Sequence, residues 1–177
     1  MIVAGGERRV VAAGLVVQVV AAALAVAAFP RLALGSLHAS VPSLLAGAAT
    51  GAALYALLAR VPALAAAGGA AGSPALRGLA VTVIAWAEET LWRGVLLGAL
   101  APRSAGFALA LSTAGFAASH VYGQGWGALR THALTGLAFG GLYLATGSLA
   151  AAIAAHAVYN LSVVVVGARR ARGAATA

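Results

Sequence analysis

The chain has 177 residues, 63% of them hydrophobic and 8% charged, with a mean hydropathy of +0.99. Soluble domains carry about 45–50% apolar and about 25% charged residues, so this composition excludes a soluble globular protein and points to one embedded in a lipid bilayer. There is no cysteine, hence no disulfide framework, thiolate metal site or cysteine nucleophile. The formal charge of +8 comes from arginines scattered between apolar runs, which mark membrane topology rather than a nucleic-acid-binding patch.

Val10 to Ala28 is the first apolar run. At about 19 residues it can cross the hydrocarbon core, and it exceeds the roughly 7–15 apolar residues of a signal peptide. Arg8 and Arg9 before it resemble a twin-arginine signal only weakly, so it reads as a retained span. Phe29-Pro30-Arg31 ends it, and Val41 to Ala59 forms the second span, with Pro42 in its first turn. Residues 66–75, rich in Gly and Ala with a Ser-Pro step, read as a linker. A third span follows from Leu76 to Leu100, then a turn at Pro102-Arg103 and a fourth span from Ser104 to His120. Residues 121–130 read as a glycine-rich loop whose Tyr122 and Trp126 suit the membrane–water boundary. The fifth span is Thr131 to Ala145, and the sixth Leu149 to Val166. The expected fold is therefore an all-α, polytopic integral membrane bundle of about six transmembrane helices. It divides into an amino-terminal helix pair with linker (1–75), a helix bundle carrying the polar residues (76–168) and a basic tail (169–177).

Six spans put both termini on one side. Arg8, Arg9, Arg60, Arg77, Arg130, Arg169, Arg170 and Arg172 then share that side, against Arg31 and Arg103 on the other. By the positive-inside rule both termini are expected in the cytoplasm of a multi-pass cell-membrane protein. The pairs Gly47/Gly51, Gly94/Gly98 and Gly136/Gly140 have the small-xxx-small spacing that lets helices approach closely.

The chain holds three acidic side chains, Glu7, Glu88 and Glu89, and the last two sit inside an apolar run with Arg93 one turn further on. A charge at the centre of a membrane helix costs roughly 2.5–3.5 kcal/mol on insertion scales, so a segment that only spans would not retain three. An ion pair of Glu89 with Arg93 at i,i+4 accounts for two of them and leaves Glu88, whose side chain projects about 100° away. The other polar side chains inside the spans are His120, His156 and Asn160, with Gln18 apart. His156 and Asn160 share a helix face at i,i+4, as do Phe116 and His120. With the termini inside, Glu88 falls near mid-bilayer, and His120, His156 and Asn160 fall in the cytoplasmic half, where all can meet.

Two chemistries suit the set. A carboxylate held out of water can act as general base, with a histidine sharing the deprotonation of a water, and a second histidine with an amide can donate to an oxyanion. Alternatively Glu88, His120 and His156 could hold zinc with an open fourth position. Both activate water for hydrolysis. The non-enzymatic readings are interhelical hydrogen bonding, a small proton-coupled transporter or an immunity factor built on the same bundle. His132 and His38 fall at interfaces, where solvated histidine is the default expectation.

These residues resemble the CPBP family of CAAX prenyl endopeptidases and bacteriocin-processing (Abi) proteins. Its Glu-Glu-xxx-Arg motif corresponds to Glu88, Glu89 and Arg93, its Phe-xxx-His motif to Phe116 and His120, and its His-xxx-Asn motif to His156 and Asn160. The resemblance implies an intramembrane endopeptidase, glutamic or metallo-type, acting on a membrane-associated protein or peptide. It implies Glu88 as general base with His120 as partner, His156 and Asn160 as oxyanion stabilisers, and Glu89 and Arg93 as support. Eukaryotic members of that family cut prenylated CAAX proteins, whereas many bacterial members have other targets; the arginine-only, alanine-rich composition resembles that of a GC-rich bacterium.

Overall fold

The computed structural model describes residues 3–34, 36–59 and 73–175. Most of the expected linker and Arg60 lie outside the described residues, as do the side chains of Arg8, Arg9 and Tyr122. The described residues are helical, without a strand. Helix α1 runs Val3–Ala28, the short α2 Pro30–Leu34 and α3 Val41–Leu58. Helix α4, Pro74–Glu89, passes without interruption into a π-helical segment, Thr90–Leu97, closed by the single turn α5, Gly98–Leu100. Helices α6 (Ala105–Gln124), α7 (Ala128–Thr146) and α8 (Leu149–Ala175) complete the fold. Among the described residues, six long helical segments thus occupy the six expected positions. Of these, α3 and Leu149–Arg170 of α8 are by themselves long and apolar enough to cross a membrane, and Val16–Ala28 and Ala105–Val121 are shorter apolar stretches.

The helices start and stop where local chemistry requires. Ser40 caps α3 by a reciprocal pair of bonds with Ser43, the Ser40 hydroxyl accepting from the Ser43 amide at 3.2 Å and the Ser43 hydroxyl from the Ser40 amide at 3.0 Å. Pro74 opens α4, where a missing N–H costs nothing. Gly147 ends α7 in the left-handed conformation, φ 62°. The loop expected over 121–130 is shorter than composition suggested. Helix α6 continues to Gln124, Gly125 at φ 75° turns the chain, and α7 begins at Ala128. A glycine inside a helix only weakens it; only the positive φ at Gly125 breaks it.

The bundle is inverted relative to a soluble protein. Glu88, Glu89, Thr90 and Arg93 are buried, while Leu45, Leu57, Leu76, Leu79, Phe107 and Leu134 are exposed. That distribution suits a hydrocarbon surround, in which charged groups turn toward the bundle interior. Two apolar clusters brace the core. Leu97, Ala108, Tyr143, Leu149 and Ala152 form one, and Leu58, Phe139, Ala155 and Tyr159 the other. Helix α3 packs along α8, where a Cβ added to Gly47 or Gly51 would collide with the carbonyls of Ala151 and Ala155. The loop before α3 is tied to the α7–α8 turn. The Ser148 hydroxyl donates to the His38 carbonyl at 2.6 Å, and the Leu149 amide to the Ser36 carbonyl at 2.8 Å.

Candidate active site

Glu88 and Glu89 close helix α4, directly before the backbone widens. Within the π-helical segment the amide of Gly98 reaches back five residues to the carbonyl of Arg93, and such segments are frequent at functional sites. The Thr90 hydroxyl donates to the Trp86 carbonyl at 2.8 Å, a back-bond that bends helices. A widened turn also needs donors from outside. Ser112 of α6 supplies one, its hydroxyl donating to the Trp92 carbonyl at 2.8 Å. The Trp92 ring lies against Gly115, where a side chain would collide with it.

Arg93 is fully buried. One guanidinium nitrogen donates to Glu89 Oε1 at 3.0 Å and the other to the Gly136 carbonyl of α7 at 3.0 Å. Its plane lies over Phe116, 4.5 Å from the ring centroid, with Phe139 at 5.8 Å. The same Glu89 oxygen accepts from His156 Nδ1 at 2.8 Å. The expected Glu89–Arg93 pair is therefore present and also fixes one imidazole. Phe139 stacks on His156 at 4.9 Å and completes the clamp.

Glu88 points to the other side and is 2% exposed. Its Oε1 lies 3.5 Å from His120 Nε2, and its Oε2 lies 3.7 Å from His156 Nε2. One histidine thus stands beside each carboxylate oxygen, slightly beyond hydrogen-bond length. The tautomers follow from the other ring nitrogens. His120 Nδ1 lies 2.8 Å from the Phe116 carbonyl, which can only accept, so Nδ1 carries the proton and Nε2 presents a lone pair toward Glu88 when the ring is neutral. His156 Nδ1 is committed as a donor to Glu89 in the same way.

Five of the six expected residues are therefore brought together: Glu88, Glu89, Arg93, His120 and His156. Asn160 lies one turn beyond His156, half-buried, and its side chain makes no hydrogen bond among the described residues. His38 is exposed, as expected of a loop histidine. His132 departs from expectation. It is half-buried, stacked on His120 at 3.6 Å with the rings 19° from parallel, and bonded through Nε2 to Gln124 Oε1 at 3.0 Å. It also meets Phe116 edge-on at 5.7 Å. The short Gly125 turn causes this, because it folds α7 back so that its second turn faces the end of α6. A polar pair eight residues apart across a glycine turn, Gln124 and His132, was the available signal in the sequence. Among the described residues, no three His, Cys, Asp or Glu side chains are grouped so as to hold a metal ion.

A family model described as type II CAAX prenyl endopeptidase, Rce1-like, matches residues 70–162, the stretch that contains α4 to the first half of α8 and every residue of this cluster. No curated protein and no solved structure matches the chain.

Proposed function

Because the chain belongs to the Rce1-like family of type II CAAX prenyl endopeptidases, we propose that it hydrolyses a peptide bond near the carboxy terminus of a membrane-associated protein or peptide, using water activated by Glu88 and His120. The carrying observation is that a buried carboxylate faces the Nε2 atoms of two histidines from two other helices, at 3.5 and 3.7 Å. A water beside the Glu88–His120 pair lies within reach of both acceptors. Glu88 and neutral His120 are both acceptors on the facing sides, so a water between them donates both its protons inward and turns a lone pair of its oxygen outward. The oxygen attacks the scissile carbonyl as a proton passes to Glu88. When the C–N bond breaks, that proton passes to the leaving amine.

The oxyanion formed on the carbonyl needs donors. His156 Nδ1 is already committed to Glu89, so His156 serves only with a second proton on Nε2. The imidazolium so formed also balances a cluster that otherwise holds two carboxylates against one guanidinium. The Asn160 amide is the second donor, and its side chain is not committed to another hydrogen bond among the described residues. Glu89 and Arg93 support the site by fixing His156 and tying the widened helix to α7.

Both Nδ1 atoms are occupied, and the two free Nε2 atoms lie on different oxygens of Glu88. Among the described residues no three His, Cys, Asp or Glu side chains are grouped so as to hold a metal ion, so no step is routed through one, and the chelation arm of the test decides the zinc alternative. The reading also has the chain crossing the membrane several times with both termini cytoplasmic, so that the site opens to the cytoplasmic half.

The test is incubation of the purified chain in liposomes with a farnesylated CAAX peptide and its unprenylated counterpart, followed by mass spectrometry, with and without a chelator. A carboxy-terminally shortened product that survives chelation is expected. Cleavage lost on chelation and restored by zinc would replace the glutamic mechanism with a metal one. Absence of product from every membrane peptide, with proton flux across the liposome, would favour the transporter reading.

A further inference from the structure

We propose that His132 is a positioning residue for His120, an inference that rests on the water-activating role just assigned to His120. The stacked ring provides the platform that fixes the imidazole plane of its neighbour. His120 lies near the end of α6, five residues before Gly125, where the helix has little beyond it to confine a side chain. Its ring must nevertheless hold Nε2 toward Glu88 while Nδ1 donates to the Phe116 carbonyl. A rotation of the ring out of that plane loses both contacts together.

Two aromatic surfaces oppose the rotation. Phe116 meets the ring edge-on, centroids 4.7 Å apart and planes at 61°, and His132 covers a face at 3.6 Å and 19°. Phe116 is itself buried beneath Arg93 and sits one turn back on the same helix. His132 is the only one of the two that comes from another helix, so it alone ties the His120 ring to α7. Its own orientation is set by Gln124, whose amide oxygen accepts from Nε2 at 3.0 Å. His132 therefore carries a proton on Nε2 in that arrangement. The two rings lie nearly parallel at stacking distance, so the His132 face limits rotation of the His120 ring. Gln124, His132, His120 and Glu88 thus form one series from the α6–α7 turn to the buried carboxylate. Gln124 and His132 position the carboxylate's partner, His120, rather than act on the reacting water.

The experiment uses the full chain in lipid nanodiscs, with His132→Ala, His132→Phe and Gln124→Ala compared with the unaltered protein. His132→Ala is expected to lower kcat by about 10–100-fold, the range that misplacing a catalytic group costs, with KM unchanged because no substrate contact is lost. His132→Phe keeps an aromatic face and should recover most of kcat. Gln124→Ala should show a smaller loss in the same direction. Nitrogen NMR of imidazole-labelled protein supplies a readout independent of turnover. His120 should give distinct protonated Nδ1 and bare Nε2 signals in the unaltered protein and in His132→Phe, and averaged signals in His132→Ala. Unchanged His120 signals and kcat in His132→Ala would overturn the proposal, as would a His132→Phe protein as damaged as His132→Ala. Should His132→Ala fail to fold, His132→Phe and Gln124→Ala decide: a Gln124→Ala protein with unaltered kcat and His120 signals overturns the proposal. If the unaltered protein cleaves no peptide, the peptidase reading falls, while the NMR comparison still decides whether His132 positions His120.

Discussion

Arg93 joins more of the site than any other side chain. It is fully buried, it donates to Glu89 and to the Gly136 carbonyl, and it rests on Phe116. Removing one partner of a buried ion pair leaves the other charge uncompensated and costs about 3–5 kcal/mol. Arg93→Ala should therefore lower the melting temperature and the folded yield as well as activity. Arg93→Lys should recover little, because an ammonium lacks the planar fork that meets two acceptors at once. Thermal unfolding in detergent checks both variants, and melting at the unaltered temperature in Arg93→Ala would contradict the role. The four-residue spacing of Glu89 and Arg93 made this pair legible in the sequence, since such residues share a helix face. Phe116/His120 and His156/Asn160 have the same spacing. His132 was not legible on these grounds. Two residues after Arg130 it reads as a boundary histidine, and its partners lie across a turn whose shortness depends on the φ of Gly125.

The helices that hold the site differ in what fixes them. The widened segment Thr90–Leu97 depends on donors from its neighbours, the Ser112 hydroxyl among them. No periodicity in the sequence distinguishes it from α-helix, because the cause is tertiary. The approach of α3 to α8 is different. The Gly47/Gly51 spacing is visible in the sequence, and both glycines meet the α8 backbone. Ala155, whose carbonyl faces Gly51, directly precedes His156. Gly51→Val should therefore push α8 away and cost about 1–3 kcal/mol, as overpacking does, while also lowering activity through His156. Gly106→Val serves as control, since nothing lies within 4 Å of a Cβ there. Equal melting temperatures for the two variants would remove the proposed link between the amino-terminal helices and the site.

Across the described residues, Glu88, Glu89 and Arg93 lie inside, Arg31, Arg103, Arg130, Arg169, Arg170 and Arg172 are exposed, and large apolar side chains face outward. The six long helical segments among the described residues were also legible, because each apolar run is bounded by arginine, proline or glycine. The arrangement of the helices was not, since it follows from which small residues allow close approach. We propose from the eight-to-two division of arginines in the sequence that both termini lie in the cytoplasm. A carboxy-terminal reporter active only outside the cytoplasm should stay silent, and activity would place the site in the opposite half of the membrane.

Glu88 is the group proposed to take a proton from water. Glu88→Gln keeps the shape and removes the basic oxygen. Turnover of a membrane-embedded peptide substrate, measured beside thermal unfolding on the same preparation, tests this directly. No detectable cleavage is expected, with melting unchanged or higher because a buried ionisable group has become neutral. Cleavage by a folded Glu88→Gln protein at the unaltered rate would contradict it.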